Sequence, residues 1–472
     1  MKSKFEILKN RNEKLFRRKL SQKEKLKKKN KYRQFLSRQN KESHKRIAEE
    51  VNYDFSTRNL IEKWLPDTLK GLIFDKKSQF YFENLRISAE KCKGQFLVPA
   101  HFSIVERPKE SYELIKSVFG SLLFQHYPIV LIDYSICVEI DLGAQVLLDV
   151  IQKELLIYLE RCKSHPLSRP SVQRIGGKNI KNEFVKKMLF SVGSPAIHNN
   201  NTRHFPDIIK YPLCIYDANI PVSQYIKEGQ KDIDTTNLVD YVLECLSRFG
   251  KVLTAEKIED LAIVISEILI NAEEHSSTKI RYSIGYLQEH NDNGHHYGVF
   301  KLAILNFGST IYQKFKSPDC PNQQIVVEME KLSKSYNSRK WFLKDEFEEE
   351  TLWTLYALQE GVTTVPTSVY KKRGNGSIQF IERFFNIKES LATDNFSKMS
   401  ILSGNTCIIF DGKYEITESF NSAGDKCKYM TFNAEKDINE KPDKDYVKFV
   451  KYNFPGTIIS AKILFNHDDF EE

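Results

Sequence analysis

From Thr254 to Ser277 the chain reads "TAEKIEDLAIVISEILINAEEHSS", and apolar residues return every three or four positions. Leu261, Ile265, Ile268, Leu269 and Ala272 fall on one side of a helix with 3.6 residues per turn. Thr254, followed by an early glutamate, is a sound start for it. The same helix lines up Glu267, Asn271 and His275 four residues apart. Such positions drift only about 40° per step, so the three share one stripe at the border of the buried face. Taken alone, that stripe is a partly exposed flank of hydrogen-bonded polar residues.

Strand-like runs follow, "IRYSIGYL" and "YGVFKLAILNFG". The stretch 312–350 reads as charged and irregular. After it come a glycine-rich helix start at "RGNGSIQFIERFF", a hairpin-like pair at "KMSILSGNTCIIFDGKYEI" and a terminal strand at "PGTIISAKILF". Upstream, "YPIVLIDYS" (127–135) is a short apolar run suited to a buried strand. It feeds "DLGAQVLLDVIQKELLIYLERC", where Ala144, Leu147, Leu148, Ile151, Leu155 and Tyr158 keep helical spacing. A strand leading into such a helix implies an α/β layer.

Charge divides the chain unevenly. Residues 1–50 hold 19 Lys and Arg against 6 Asp and Glu, while the whole chain carries +9, so the remainder is net acidic. The arm, roughly 1–55, is rich in helix formers and carries a weak apolar stripe (Phe5, Leu8, Leu15, Phe16, Leu20). It reads as a helical or flexible solubilising tail, or as an arm that contacts the phosphates of nucleic acid. No base-reading motif accompanies it. The eight cysteines form no CxxC pair, which argues against a zinc site and for reduced thiols. No run is long enough for a membrane helix, and the N-terminus lacks a secretory signal's apolar core, so a cytoplasmic protein is expected.

The stretch "VLIDYSICVEIDLGAQVLL" resembles STAS domains, in which a strand ending in Asp leads through a short loop to a helix. Leu142 stands where antagonist members carry a phosphorylatable serine. The likeness implies a STAS-like docking or scaffold domain over 56–230, without the phospho-switch.

The pattern E-x-x-x-N-A-x-x-H formed by Glu267, Asn271 and His275 resembles the N-box of GHKL (histidine-kinase-like) ATPases. In order after it stand "LAILNFGST", "ALQEGVTTVPTSVYKKRGNGSIQFI" and "FPGTIISAKI", similar to the first glycine element, the lid with its second glycine box, and the closing strand. The resemblance implies a Bergerat-fold domain, a two-layer α/β sandwich, over 231–472 with a lid around 312–372, binding ATP and Mg²⁺. It gives Asn271 to the magnesium and Glu267 to the attacking water. Asn306 matches the adenine-reading aspartate, Gly308 the close approach to the base, and Thr310 replaces a glycine. Thr363 and Thr364 match lid residues near the phosphates; otherwise they cap a helix. Gly374 and Gly376 match a phosphate-binding helix start, with Arg373 and Lys371 as nearby cations. His275 either meets the phosphate side or is structural.

The implied function is a Mg-ATP-binding ATPase or nucleotide-driven switch, acting with the STAS-like domain on a protein partner and possible as a homodimer. The alternatives are a protein kinase of the anti-sigma type and a catalytically weak ATP-binding interaction protein whose arm contacts nucleic acid. His44, the one candidate phosphoacceptor of a histidine kinase, lacks the surrounding pattern.

Overall fold

The computed structural model describes residues 27, 61–92, 94–125, 129–162, 174–197, 205–219, 224–250, 252–292, 295–337, 347–364, 378–382, 397–420 and 426–466. All of the basic arm but Lys27 lies outside them, as do Lys371, Arg373, Gly374 and Gly376. Of Glu267 and His275 the backbone alone is described. The chain divides into two compact units, residues 1–65 with 158–171, and residues 66–157 with 172–472. In the smaller unit Ile61, Leu65, Tyr158 and Leu159 are buried, and Arg161 donates to the Trp64 carbonyl (3.4 Å).

The larger unit is mixed α/β, with parallel and antiparallel sheets. Its first part runs α1 (Asp67–Phe74), α2 (Phe82–Cys92), β1 (Phe96–Leu97), β2 (His101–Phe102), α3 (Pro108–Phe124), β3 (Ile129–Asp133), β4 (Glu139–Ile140), α4 (Leu142–Cys162, the larger unit holding it up to Ile157), β5 (Arg174–Lys178) and α5 (Glu183–Ser191). Strands β1, β3 and β5 pair in parallel in that order, with Phe96, Ile132 and Gly177 abreast. Parallel neighbours need crossovers, and α3 and α4 supply them. The expected buried strand is covered on one face only. Val130 and Ile132 are buried while Ile129 and Leu131 are exposed, a distinction that an all-apolar run does not encode.

The second part contains β6 (Ile208–Asp217), α6 (Gln224–Ser247), α7 (Ala255–His275), β7 (Ser276–Asp292), β8 (His295–Gly308), α8 (Ile311–Lys316), α9 (Gln323–Asn337), α10 (Glu349–Ala357), β9 (Lys398–Phe410), β10 (Thr417–Phe420), β11 (Lys426–Tyr429) and β12 (Val447–Asn466). Five strands form an antiparallel sheet in the order β6-β7-β8-β12-β9. Strand β6, from the 56–230 stretch, is thus its edge. The apolar stripes of α6 and α7 (Leu238, Val242, Leu246, Leu261, Ile265, Ile268, Leu269) share one core with Phe300, Ile304, Ile401 and Ile463. This is the burial that the period of α7 demands.

The opposite face of the sheet meets the parallel module. Tyr282 on β7 donates to Glu154 on α4 (3.3 Å), and Gly143 lies so close to Ile458 and Ser460 that a Cβ there would crowd both. Lys301, Lys462 and Lys398 stand abreast on β8, β12 and β9. Like charges side by side repel. Acids of the parallel module offset this: Glu106 binds Lys398 at 2.5 Å, and Asp141 and Glu139 act on Lys301.

Two further expectations are corrected. The stretch expected to be irregular, 312–350, contains most of α8 and α9 and the start of α10. These helices bury their own small core of Phe315, Met329, Phe347, Leu352, Trp353 and Tyr356. Charged outer faces hid this spacing, for Ile325, Val326, Met329 and Leu332 recur at helical intervals. The hairpin-like pair is one continuous strand, β9, whose Gly404 takes φ 59° opposite a stretch where β12 carries extra residues, between Phe449 and Thr457. Among the described residues no helix is long and apolar enough to cross a membrane.

Candidate functional site

Helix α7 is positioned at both ends. Thr254 is its N-cap, its hydroxyl accepting from Lys257 N (3.3 Å). At the other end Ser276 turns the chain directly into β7. Its hydroxyl donates to the Phe307 carbonyl (3.1 Å) and accepts from Ile280 N (3.1 Å). The last turn of α7 is therefore tied to the end of β8. Asn271 lies on that turn, half-buried, and among the described residues no group hydrogen-bonds its amide.

The far flank of α7 is held by charge. Glu273 pairs with Lys231 of α6 (3.1 Å). On β7, Arg281, 2% exposed, pairs with Asp234 of α6 (2.9 Å) and lies over the Tyr216 ring at 4.6 Å. Arg281 is abreast of Asn306 on β8, so this network borders the glycine element.

Asn306 is buried, and both ends of its amide are used. Its Nδ2 donates to the Ala272 carbonyl of α7, and its Oδ1 accepts from Thr457 N of β12 (2.9 Å). These two bonds define which way the amide points. An amide has two donor hydrogens and two acceptor lone pairs, so one of each is left. Beside it the backbones come close. Gly308 takes φ 141° and Gly456 φ 145°, and a Cβ on Gly456 would lie 2.2 Å from the Asn306 carbonyl oxygen. Only glycine accommodates both demands.

Thr310 has a definite task where the resemblance puts a glycine. It caps α8, accepting from Gln313 N (3.1 Å) while Gln313 Oε1 accepts from Thr310 N (2.9 Å). This is a capping box, and it needs a side chain. Ile311 N then donates to Ser403 of β9 (2.9 Å), and the Ser403 hydroxyl also meets the Thr457 hydroxyl (2.9 Å). A buried polar chain thus runs from Ala272 through Asn306, Thr457 and Ser403 to the first turn of α8. Glu350 of α10 closes the same corner, its Oε1 accepting from Asn405 N (2.7 Å), and burial pushes its carboxyl up.

Asn271, Asn306, Gly308 and Thr310 are therefore brought to one corner, where α7 meets the end of β8 and the middle of β12. Thr363 and Thr364 follow α10, both half-buried, and the Thr363 carbonyl accepts from Asn322 Nδ2 at the start of α9 (2.9 Å). After the second glycine box, residues 378–382 are helical, and Ile378 and Ile381 are buried. Ser276, Ser403 and Thr457 were missed from the sequence. Thr457 had a signal, a hydroxyl after Gly456 in the closing strand, but the other two gain meaning only from partners distant in the chain. Among the described residues no group of three or more His, Cys, Asp or Glu could hold a metal ion.

Comparison with protein-family models, with curated proteins and with solved structures finds no match for this chain.

Proposed function

We propose that the larger unit binds Mg-ATP in the manner of GHKL proteins, at the corner between α7, the end of β8 and the middle of β12, with the α8–α10 segment as its lid. The observation that carries this reading is the pairing of a half-buried Asn271 amide that no described group engages with an Asn306 amide braced against the next residue of α7, Ala272. An asparagine oxygen suits magnesium, which takes hard oxygen ligands and keeps several waters. When bound, the metal would neutralise phosphate charge; Asn271 would hold it, and Glu267 would orient water. The same reading makes the helix-covered sheet a Bergerat-type sandwich and the parallel module a STAS-like scaffold on its back.

The turnover-free form of the reading has its own support. Asn306 stands in place of the adenine-reading aspartate with two of its hydrogen-bonding positions taken inside the fold, and the Thr310 cap ties down the loop. Both features favour a nucleotide-binding switch over a fast ATPase.

Calorimetric titration of the full chain with ATP, with and without Mg²⁺, tests the proposal. Magnesium-dependent binding that disappears in Asn271→Ala is the expected result. Unchanged affinity in that variant would remove the site. ATP turnover lost in Glu267→Ala with binding retained would mark an ATPase, and label transferred to protein would mark a kinase.

A further inference from the structure

The parallel module buries a carboxylate that pairs with no cation among the described residues. Asp149 lies on α4, and its Oδ1 accepts from Gln145 Nε2 (2.8 Å) and from the Ser194 hydroxyl (2.9 Å). Gln145 also donates to Ser194 Oγ (3.2 Å) and accepts from the Tyr134 hydroxyl at the end of β3 (3.4 Å). Ser194 Oγ accepts in turn from Ala196 N (3.2 Å). The Asp149, Gln145, Ser194 and Tyr134 side chains are all buried.

These four side chains have no hydrogen left for a further acceptor. Gln145 has two amide hydrogens and both are donated; the Ser194 and Tyr134 hydroxyls have one each, and both are donated. Among the described residues two acceptors remain buried here without a donor, Asp149 Oδ2 and Gln152 Oε1. They belong to residues three apart on one helix, which share a face. One added hydrogen on Oδ2 would turn the first of these acceptors into a donor for the second.

The charged groups nearby are engaged elsewhere. On α4 Glu154 takes the Tyr282 hydroxyl; on α5 Lys186 and Lys187 pair with Glu183 and Asp207; on β5 Lys178 pairs with Asp133. The turn 192–196 carries no charged residue. Tyr134, the titratable group facing Asp149 from β3, is pushed up by burial and by Asp149 itself. Burial likewise pushes the Asp149 carboxyl up to about 7, against the two hydrogen bonds that lower it.

We propose that Asp149 holds a proton in the folded protein, directed from Oδ2 to Gln152 Oε1, and that losing it loosens the clasp between α4, the end of β3 and the turn after α5. The parallel module then contains a proton-operated lock.

Linkage fixes the sign of its effect on stability. A carboxyl held protonated by the fold costs nothing below the ordinary carboxylate range; the fold loses stability as pH rises from there to the folded value, and past it the loss levels off. Asp149→Asn imitates the protonated acid, since its NH₂ can donate where the acid O–H did. Thermal unfolding of the full chain is compared for wild type and Asp149→Asn from about pH 5 to about pH 9. The variant should gain on wild type up to about pH 7 and then hold its lead; a gap that is constant over the whole range, or a variant that loses ground in alkali, overturns the proposal. Infrared difference spectra between the two proteins supply a second reading. A carboxylic-acid carbonyl band should be present in wild type at acid pH, fade through neutrality and be missing from the variant. Its absence from wild type at acid pH refutes the proton. In Gln152→Leu the band should fade at lower pH, because the proton has lost its acceptor; fading at an unchanged pH refutes Gln152 as that acceptor.

Discussion

The antiparallel sheet and the parallel module each bury an aspartate, and they accommodate it in opposite ways. Asp234 on α6 meets Arg281 at 2.9 Å and Gln230 at 2.9 Å, so the fold supplies a full positive charge. Asp149 on α4 meets an amide and a hydroxyl, both neutral. A buried charge is tolerable when paired and expensive when alone. The same side chain therefore serves as an ion in one region and as an acid in the other, according to what the topology brings beside it.

Removing the cation from the paired site is the most damaging way to test this contrast. Arg281→Leu should cost about 3–5 kcal/mol in denaturant unfolding, because Asp234 is left charged and buried. Adding Asp234→Leu should return much of that loss. A cost below about 1 kcal/mol for the single variant would place the two aspartates in the same class. At the unpaired site the change has the other sign. Asp149→Asn should stabilise above neutral pH by up to ~4 kcal/mol, since each tenfold change in proton affinity between folded and unfolded chain is worth about 1.4 kcal/mol. Below about pH 4 the same variant should change little.

Asn306 offers a neutral control beside the ion pair. Asn306→Ala leaves Thr457 N and the Ala272 carbonyl without their partner and should cost about 1–3 kcal/mol at any pH. A pH-dependent cost would show that charge reaches this corner. Loss of the helix cap in Thr254→Ala should cost about 1 kcal/mol in the same assay. The smallest effect belongs to the half-exposed Lys398–Glu106 pair. Lys398→Ala should change stability by under about 1 kcal/mol, and raised salt should shrink even that. A larger loss would mean that the three-lysine row is a structural seam in its own right.

Local patterns in the chain were enough to read α7 from its capping threonine through its apolar stripe, and the long strands β7, β8 and the last part of β12 as well. Their periods are set by the residues themselves. Other features were hidden for identifiable reasons. Ile129 and Leu131 look as core-like as Val130 and Ile132, because an unbroken apolar run does not say which face will be covered. Helices α8 to α10 were obscured by charged outer faces around a core that exists only once Trp353 and Phe315 meet. Thr310 was singled out beside Gly308, but its capping of α8 depended on Gln313 folding back.

By itself the sequence determined α7 and the strands β7 and β8, since caps and periods act over a few residues. Tertiary structure alone decided that Asp234 has an arginine beside it and that Asp149, with the Gln145 amide one turn back on its own helix, receives only a hydroxyl from elsewhere in the fold. It also decided that Asn306 is gripped from two sides, and that Ser403 ties the first turn of α8 to β12. Each of these depends on groups tens to hundreds of residues apart arriving within hydrogen-bonding distance, and burial then makes the presence or absence of one partner decisive.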